Sequence, residues 1–213
     1  MILNEQETRD LLAGYGIPMN ESRAACGAAE AAGEARHIGF PVAVKALSRK
    51  IVHKSDLGLV ELNIYNPGDA ARAARRILAR ARDIDPEAGL IVEAMAPQGT
   101  EVIVGAKRDP QFGPTILFGL GGIFVEVFRD ISVRVAPVDR TMAMDMIDDV
   151  KGYAILKGAR GRKGVDLEAL ADILVCTSRL MMEQERVLEL DINPVMAYEK
   201  GAMAVDARAL IRD

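Results

Sequence analysis

One of the two histidines in the chain, His53, stands in the stretch VAVKALSRKIVHKSDLGLVELN, residues 42–63, flanked by Lys50 and Lys54. A neutral imidazole in such a basic loop is equipped to act as a general base, a metal ligand or a nucleophile. It can equally be a loop residue with no chemistry at all, which is how His37, on an alanine-rich helical stretch, reads. Lys45 lies in the apolar run just upstream. A lysine there is costly to bury unless an anion meets it, and a phosphate or a carboxylate would serve; otherwise its ammonium snorkels to water.

Near the other end, ELDINPVMAYEKGAMAVD places Asp191 and Asn193 two residues apart, on one face of a strand, with Asp206 on the strand that follows. Hard oxygen donors on paired strands suit Mg²⁺, which takes one or two protein carboxylates and completes its shell with water and phosphate. The same residues would be unremarkable on the solvated side of a hairpin. A third stretch, FGLGGIFVEVFRD, carries Gly119, Gly121 and Gly122. Glycines there permit a backbone to approach a ligand or simply to turn tightly. No Gly-Lys-Ser/Thr follows and the full dinucleotide fingerprint is missing, so neither phosphate motif applies.

These residues need elements to hold them. Asn4 and Glu7 form a capping-box pattern for a first helix, which Gly14, Gly16 and Pro18 end. AACGAAEAAGEARHIG predicts a second helix stopping at Gly39. FPVAVKAL and LGLVELNIY read as neighbouring strands, residues 67–83 as an amphipathic helix, and GLIVEAM as a buried strand. Beyond Pro97, TEVIVGAKRD and PTILFGL predict a hairpin and VRVAPV a further strand. Helices are expected over 139–150 and 166–185, then two strands around a Glu-Lys-Gly turn. The pattern is α+β in two parts, 1–95 and 96–213, hinged near Ala94 to Pro97.

A length of 213 residues suffices for a substantial core, and half the residues are apolar. A net charge of −4 gives no bulk attraction to nucleic acid or to an anionic membrane. No apolar run is long enough to span a bilayer, and MILNEQETRDLL lacks the basic and apolar regions of a signal peptide. Cys26 and Cys176 have no ligand-like spacing and read as reduced thiols, so a cytoplasmic protein is expected.

In order, LLAGYGIP, GFPVAVKALS, IVHKSDLGLVELN, VEAMAPQGTEVIVGAKRDPQFGP, FGLGGIFVEVFRDISVRVAP and LELDINPVMAYEKGAMAVDAR resemble the ATP-grasp module of ADP-forming acyl-CoA synthetases. The likeness spans nearly the whole chain and is nearest the acetate–CoA ligase branch, with succinyl-CoA synthetase β more distant. It implies an ATP-grasp fold, in which two α+β lobes sandwich a nucleotide. Lys45 matches the lysine that reaches the nucleotide phosphates, and Glu93, Ala94 and Met95 the hinge that meets adenine, largely through backbone groups. Glu101 matches an acidic residue near the ribose, Gly121 and Gly122 the glycine loop, and Arg134 the basic residue of the R-x-A-P element. Asn193 and Asp206, with Asp191, match the Mg²⁺ site.

His53 matches a phosphohistidine that relays phosphate between a histidine of an α subunit and ADP. The resemblance therefore implies ATP/ADP and Mg²⁺ as ligands, and a CoA-binding α subunit, separate or fused, in an α2β2 assembly. Leu59 departs from the family's second loop glycine, and leucine does not take positive φ cheaply. Two other readings stay open: a carboxylate ligase that makes an acyl-phosphate without phosphohistidine, and a non-catalytic nucleotide sensor.

Overall fold

The structure, a computed structural model, describes residues 1–51, 54–122, 130–158 and 163–212. His53 therefore lies outside the described residues. The chain divides into two compact units: Ile2–Glu7 with Asn20–Pro97, and Met1 and Thr8–Met19 with Gln98–Asp213. Residues 8–19, grouped by the sequence reading with the first 95, thus belong to the C-terminal unit. The division passes through the first helix, α1 (Glu5–Gly14). That helix opens on a reciprocal capping box, in which the Asn4 amide donates to Glu7 Oε2 and the Glu7 amide to Asn4 Oδ1, both at 2.9 Å.

The smaller unit is a four-stranded antiparallel sheet of β1 (Ser22–Ala25), β2 (Val42–Leu47), β3 (Val60–Ile64) and β4 (Gly89–Ala94), in the order β1-β4-β2-β3. Helices α2 (Ala28–Ile38) and α3 (Pro67–Ile84) pack on one face, burying Val42, Val44, Leu90 and Val92 against Ala73, Ala74 and Ile77. Asn66 caps α3 by accepting the Asp69 amide. The expected second helix starts later than its alanines suggest. Ala24 and Ala25 pair with Ile91 and Leu90 as strand β1, so sheet pairing overrides the helix propensity of alanine.

The C-terminal unit holds β5 (Thr100–Asp109), β6 (Gly113–Leu120), β7 (Ile131–Val135), β8 (Val187–Ala197), β9 (Ala202–Ala204) and β10 (Ala207–Ile211). They form an antiparallel six-stranded sheet ordered β10-β8-β5-β6-β7, with β9 also on β8. Because β5 occupies one edge of β8, β9 and β10 follow each other along its other edge. Helices α4 (Arg140–Asp149) and α6 (Leu167–Glu183) cover one face, and a short helix not foreseen from the sequence, α5 (Tyr153–Leu156), adjoins α4. The expected closing pair of strands is three, since the chain bends at Asp206 and continues as β10. Among the described residues no helix is long and apolar enough to cross a membrane.

Candidate functional site

In the smaller unit, alternation along β2 sends Val44 and Ala46 into the helix-covered core and Lys45 to the opposite face. Glu93, opposite Ala43 on β4, shares that face. Lys45 is met by carboxylates: Glu93 at 2.8 Å and Glu5 at 3.1 Å, with Lys45 only 7 % and Glu93 1 % exposed. Of the anions that could justify a buried lysine, this chain supplies its own. Glu5 also bonds Lys54. Burial alone would push the Glu5 carboxyl up, but its hydrogen bond to Glu93 and the charges of Lys45 and Lys54 hold it far below the ordinary range.

The loop leaving β2 is tied down as well. Ser48 Oγ donates to Asp85 at 2.7 Å and Lys50 Nζ to the other Asp85 oxygen at 3.1 Å, which depresses the Asp85 pKa, Ser48 first and Lys50 next. Ile51 and Leu59, on either side of the His53 segment, are both buried in the same core. Gly58 carries the positive φ, +63°, and Leu59 does not, so the leucine in place of a family glycine is an apolar anchor rather than a strained turn. The Ala94 amide donates to the Glu21 carbonyl, the Met95 amide to the Pro41 carbonyl, and the Ala94 carbonyl accepts from Asn20 Nδ2. The backbone at Ala94 and Met95 is thereby tied to Glu21, Pro41 and Asn20.

In the C-terminal unit, Asp191 and Asn193 lie on the sheet face not covered by helices, since the intervening Ile192 pairs with the buried Val104. Between Val102 and Val104 the register slips by a residue, so Asn193 and Pro194 bulge opposite Ile103. Proline, with no N–H to give the ladder, suits that position. The bulge brings Asn193 to Asp206: the Asn193 amide donates to the Asp206 carbonyl at 3.0 Å. Asp191 is exposed, yet its carboxyl is held above the ordinary range. Partial withdrawal from water comes first; like charge on Glu189 and Asp206 adds to it, and Arg208 opposes. Two carboxylates and an amide oxygen on one face fit a hard divalent cation, and charge repulsion between the acids is what such a cation relieves.

Glu101 shares this face, and the Gly121 amide donates to its carbonyl at 2.8 Å. A Cβ on Gly121 would stand 2.8 Å from Glu101 Cβ, and Gly122 has φ +60°, so both glycines are required by the backbone itself. Residues 123–129, which follow, lie outside the described residues. Arg134 is not brought to this face. It is opposite Ile116, which is opposite Ala106, on the helix-covered side, where its guanidinium bonds Ser132 and Asp149. In this structure Arg134 ties β7 to α4.

Glu5, Asn20 and Asp85, each no more than 6 % exposed, are the residues that sequence reasoning missed. Each acts on a partner distant in the chain, and the only local signal was Glu5 beside the capping box.

The profile of the ATP-grasp domain family matches residues 1–211. Acetate–CoA ligase [ADP-forming] I subunit beta of Pyrococcus furiosus is 49 % identical over 212 residues, covering 98 % of this chain and 91 % of the relative. Acetate–CoA ligase [ADP-forming] I of Archaeoglobus fulgidus is 44 % identical, covering 94 % of this chain but 30 % of that longer protein. Among solved structures, the dinucleotide-forming acetyl-coenzyme A synthetase 1 of Ca. Korarchaeum cryptofilum superposes with a TM-score of 0.86 at 45 % identity, covering 98 % of this chain and 92 % of that one. That structure is a complex with coenzyme A and Mg-AMPPCP, its phosphohistidine segment pointing towards the nucleotide binding site.

Proposed function

This chain belongs to the ATP-grasp domain family, and on that premise we propose that it is the nucleotide-binding β subunit of an ADP-forming acyl-CoA synthetase. The full reaction is acyl-CoA + ADP + phosphate ⇌ acid + CoA + ATP. This chain carries the nucleotide half of it. A neutral nitrogen of His53 forms a bond to the γ-phosphorus of ATP, the bond from phosphorus to the bridging oxygen breaks, ADP leaves with the electron pair, and the ring proton passes to solvent. The phosphohistidine then hands its phosphoryl group to a CoA-binding α subunit, the partner implied by the "subunit beta" name of the Pyrococcus relative. An α2β2 assembly follows from the same reading.

Lys45 and Lys54 supply positive charge for the transferring group, and the Glu93–Met95 hinge and Glu101 position the nucleoside. Asp191, Asn193 and Asp206 would hold Mg²⁺, which when bound neutralises phosphate charge. The observation that carries the reading is a likeness over 98 % of the chain to an enzyme whose structure holds both Mg-AMPPCP and a phosphohistidine segment.

The test is to incubate the chain with γ-labelled ATP and Mg²⁺, beside His53→Asn. Acid-labile, base-stable label that disappears in the variant is the expected result. Nucleotide binding with no label on the chain would overturn the relay and leave the acyl-phosphate ligase or the sensor.

A further inference from the structure

Two carboxylates at the start of α1 reach the two ends of the segment 49–54. Glu7 Oε2 accepts from Arg49 Nε at 2.9 Å, just past the end of β2. Glu5 divides its two oxygens: Oε1 accepts from Lys45 Nζ at 3.1 Å and Oε2 from Lys54 Nζ. Lys54 is the residue next to His53. Its backbone is closed onto the same strand, because the Lys54 carbonyl accepts the Leu59 amide at 2.8 Å and the Leu59 carbonyl accepts the Ala46 amide at 3.0 Å. Glu5 is thus the side-chain half of a double tie between β2 and the chain emerging from His53, and the capping box fixes the turn that carries it.

Packing does not explain a carboxylate here. The Glu5 side chain is 3 % exposed and Lys45 9 %. Replacing a buried ion pair by apolar residues of similar volume is often neutral or stabilising, so the cluster contributes geometry and charge more than stability. A glutamate with one oxygen on each ammonium holds two flexible lysines in one arrangement, and one of those lysines already has a second carboxylate in Glu93. Among the described residues, Glu5 is the carboxylate that Lys54 meets.

We infer that Glu5 is a positioning residue for phosphoryl transfer, holding Lys45 and Lys54, the latter next to His53 in the chain, as a fixed pair of positive charges. The inference rests on the relay reading above. Glutamine is isosteric with glutamate but leaves Lys54 without its ionic partner. Hydrogen bonds to charged groups of this kind correspond to about tenfold to hundredfold in rate.

The experiment compares wild type, Glu5→Gln, Glu5→Asp and Lys54→Met in full-length protein. It reads three quantities: the rate of label transfer from γ-labelled ATP, the ATP concentration giving half that rate, and the acylation rate of Lys54 by acetic anhydride, from peptide masses. Glu5→Gln is expected to transfer at about a tenth or less of the wild-type rate, with the half-saturating ATP moved less than about threefold. Lys54 should acylate faster. Glu5→Asp, which keeps the charge but is too short to span both lysines, should fall between, and Lys54→Met should be slow while retaining the Glu5–Lys45 pair. Transfer at the wild-type rate in both Glu5→Gln and Lys54→Met would overturn the inference. So would a Glu5→Gln loss that appears wholly in the half-saturating concentration. If wild type itself takes no label, the relay reading fails first and this inference with it, a pattern distinct from loss in the variants alone.

Discussion

Leu59 gives the sharpest quantitative test of how the His53 loop is built. The residue is fully buried and belongs to the same core as Ile51, Val44, Leu90 and Ile77. Truncation to alanine removes the transfer free energy of its outer carbons and leaves a cavity that a strand-and-helix core fills only in part. For fully buried leucines that combination costs about 3–5 kcal/mol. Leu59→Gly, which matches the family's loop pattern, should cost roughly 1 kcal/mol more because glycine also loses backbone entropy on folding. Gly58→Ala is the contrast. Its Cβ would meet only the movable end of Arg80, at 2.7 Å, so the penalty is that of a left-handed φ, about 1–2 kcal/mol. The assay is urea unfolding followed by far-UV circular dichroism. The order of midpoints should be wild type, then Gly58→Ala, then Leu59→Ala, then Leu59→Gly, with Leu59→Ala displaced by about 1–3 M at unchanged slope. A Leu59→Ala loss under about 1 kcal/mol, or one smaller than that of Gly58→Ala, would refute the assignment of Leu59 as the loop's core anchor.

Three further outcomes follow from the geometry. Asp191→Asn should raise the melting temperature of the metal-free protein near neutral pH while weakening Mg²⁺ binding in a calorimetric titration. The sign comes from its raised folded pKa: the native state holds a proton that the unfolded state has released, so folding loses stability as pH rises through that interval, and asparagine removes the loss. Asp166 behaves in the opposite sense. Its carboxyl accepts the Gly201 amide at 2.8 Å and the Ala169 amide at 3.0 Å, and its folded pKa is lowered, so its contribution is complete above the ordinary aspartate value and is lost as pH falls towards the depressed one. Asp166→Ala should flatten that part of the acid limb of a stability-versus-pH curve. Arg134→Ala should cost up to about 1 kcal/mol, the range of a partly exposed ion pair, and leave ADP affinity in equilibrium dialysis within about twofold. A tenfold loss of ADP affinity would place Arg134 in the nucleotide site.

Much of the molecule could be read from its sequence because the signals are local. The Asn4–Glu7 box, the amphipathic run capped by Asn66 and the alternation through VAVKAL each act within a few residues, and each produced the expected element. Asp191 and Asn193 share a face because strand periodicity is a property of the backbone alone. Where local preference competes with pairing, the sequence misleads. Ala24 and Ala25 favour a helix in isolation but form β1, since Leu90 and Ile91 offer them backbone partners.

What the sequence determined by itself, then, is the set of chemically capable residues, their strand and helix settings, and a six-segment pattern specific enough to identify the family. The tertiary structure alone decided what faces them. Buried charge must be neutralised by whatever the fold brings near, and that is a matter of three-dimensional distance rather than spacing along the chain. Hence Lys45, legible as a lysine in need of an anion, acquires Glu5 from forty positions earlier and Glu93 from the neighbouring strand β4. Arg134, legible only as a basic residue in a strand, is sent to the helix-covered face by a register that pairs it with Ile116. Leu59, a departure from pattern on paper, is in space a side chain excluded from water at the foot of the loop.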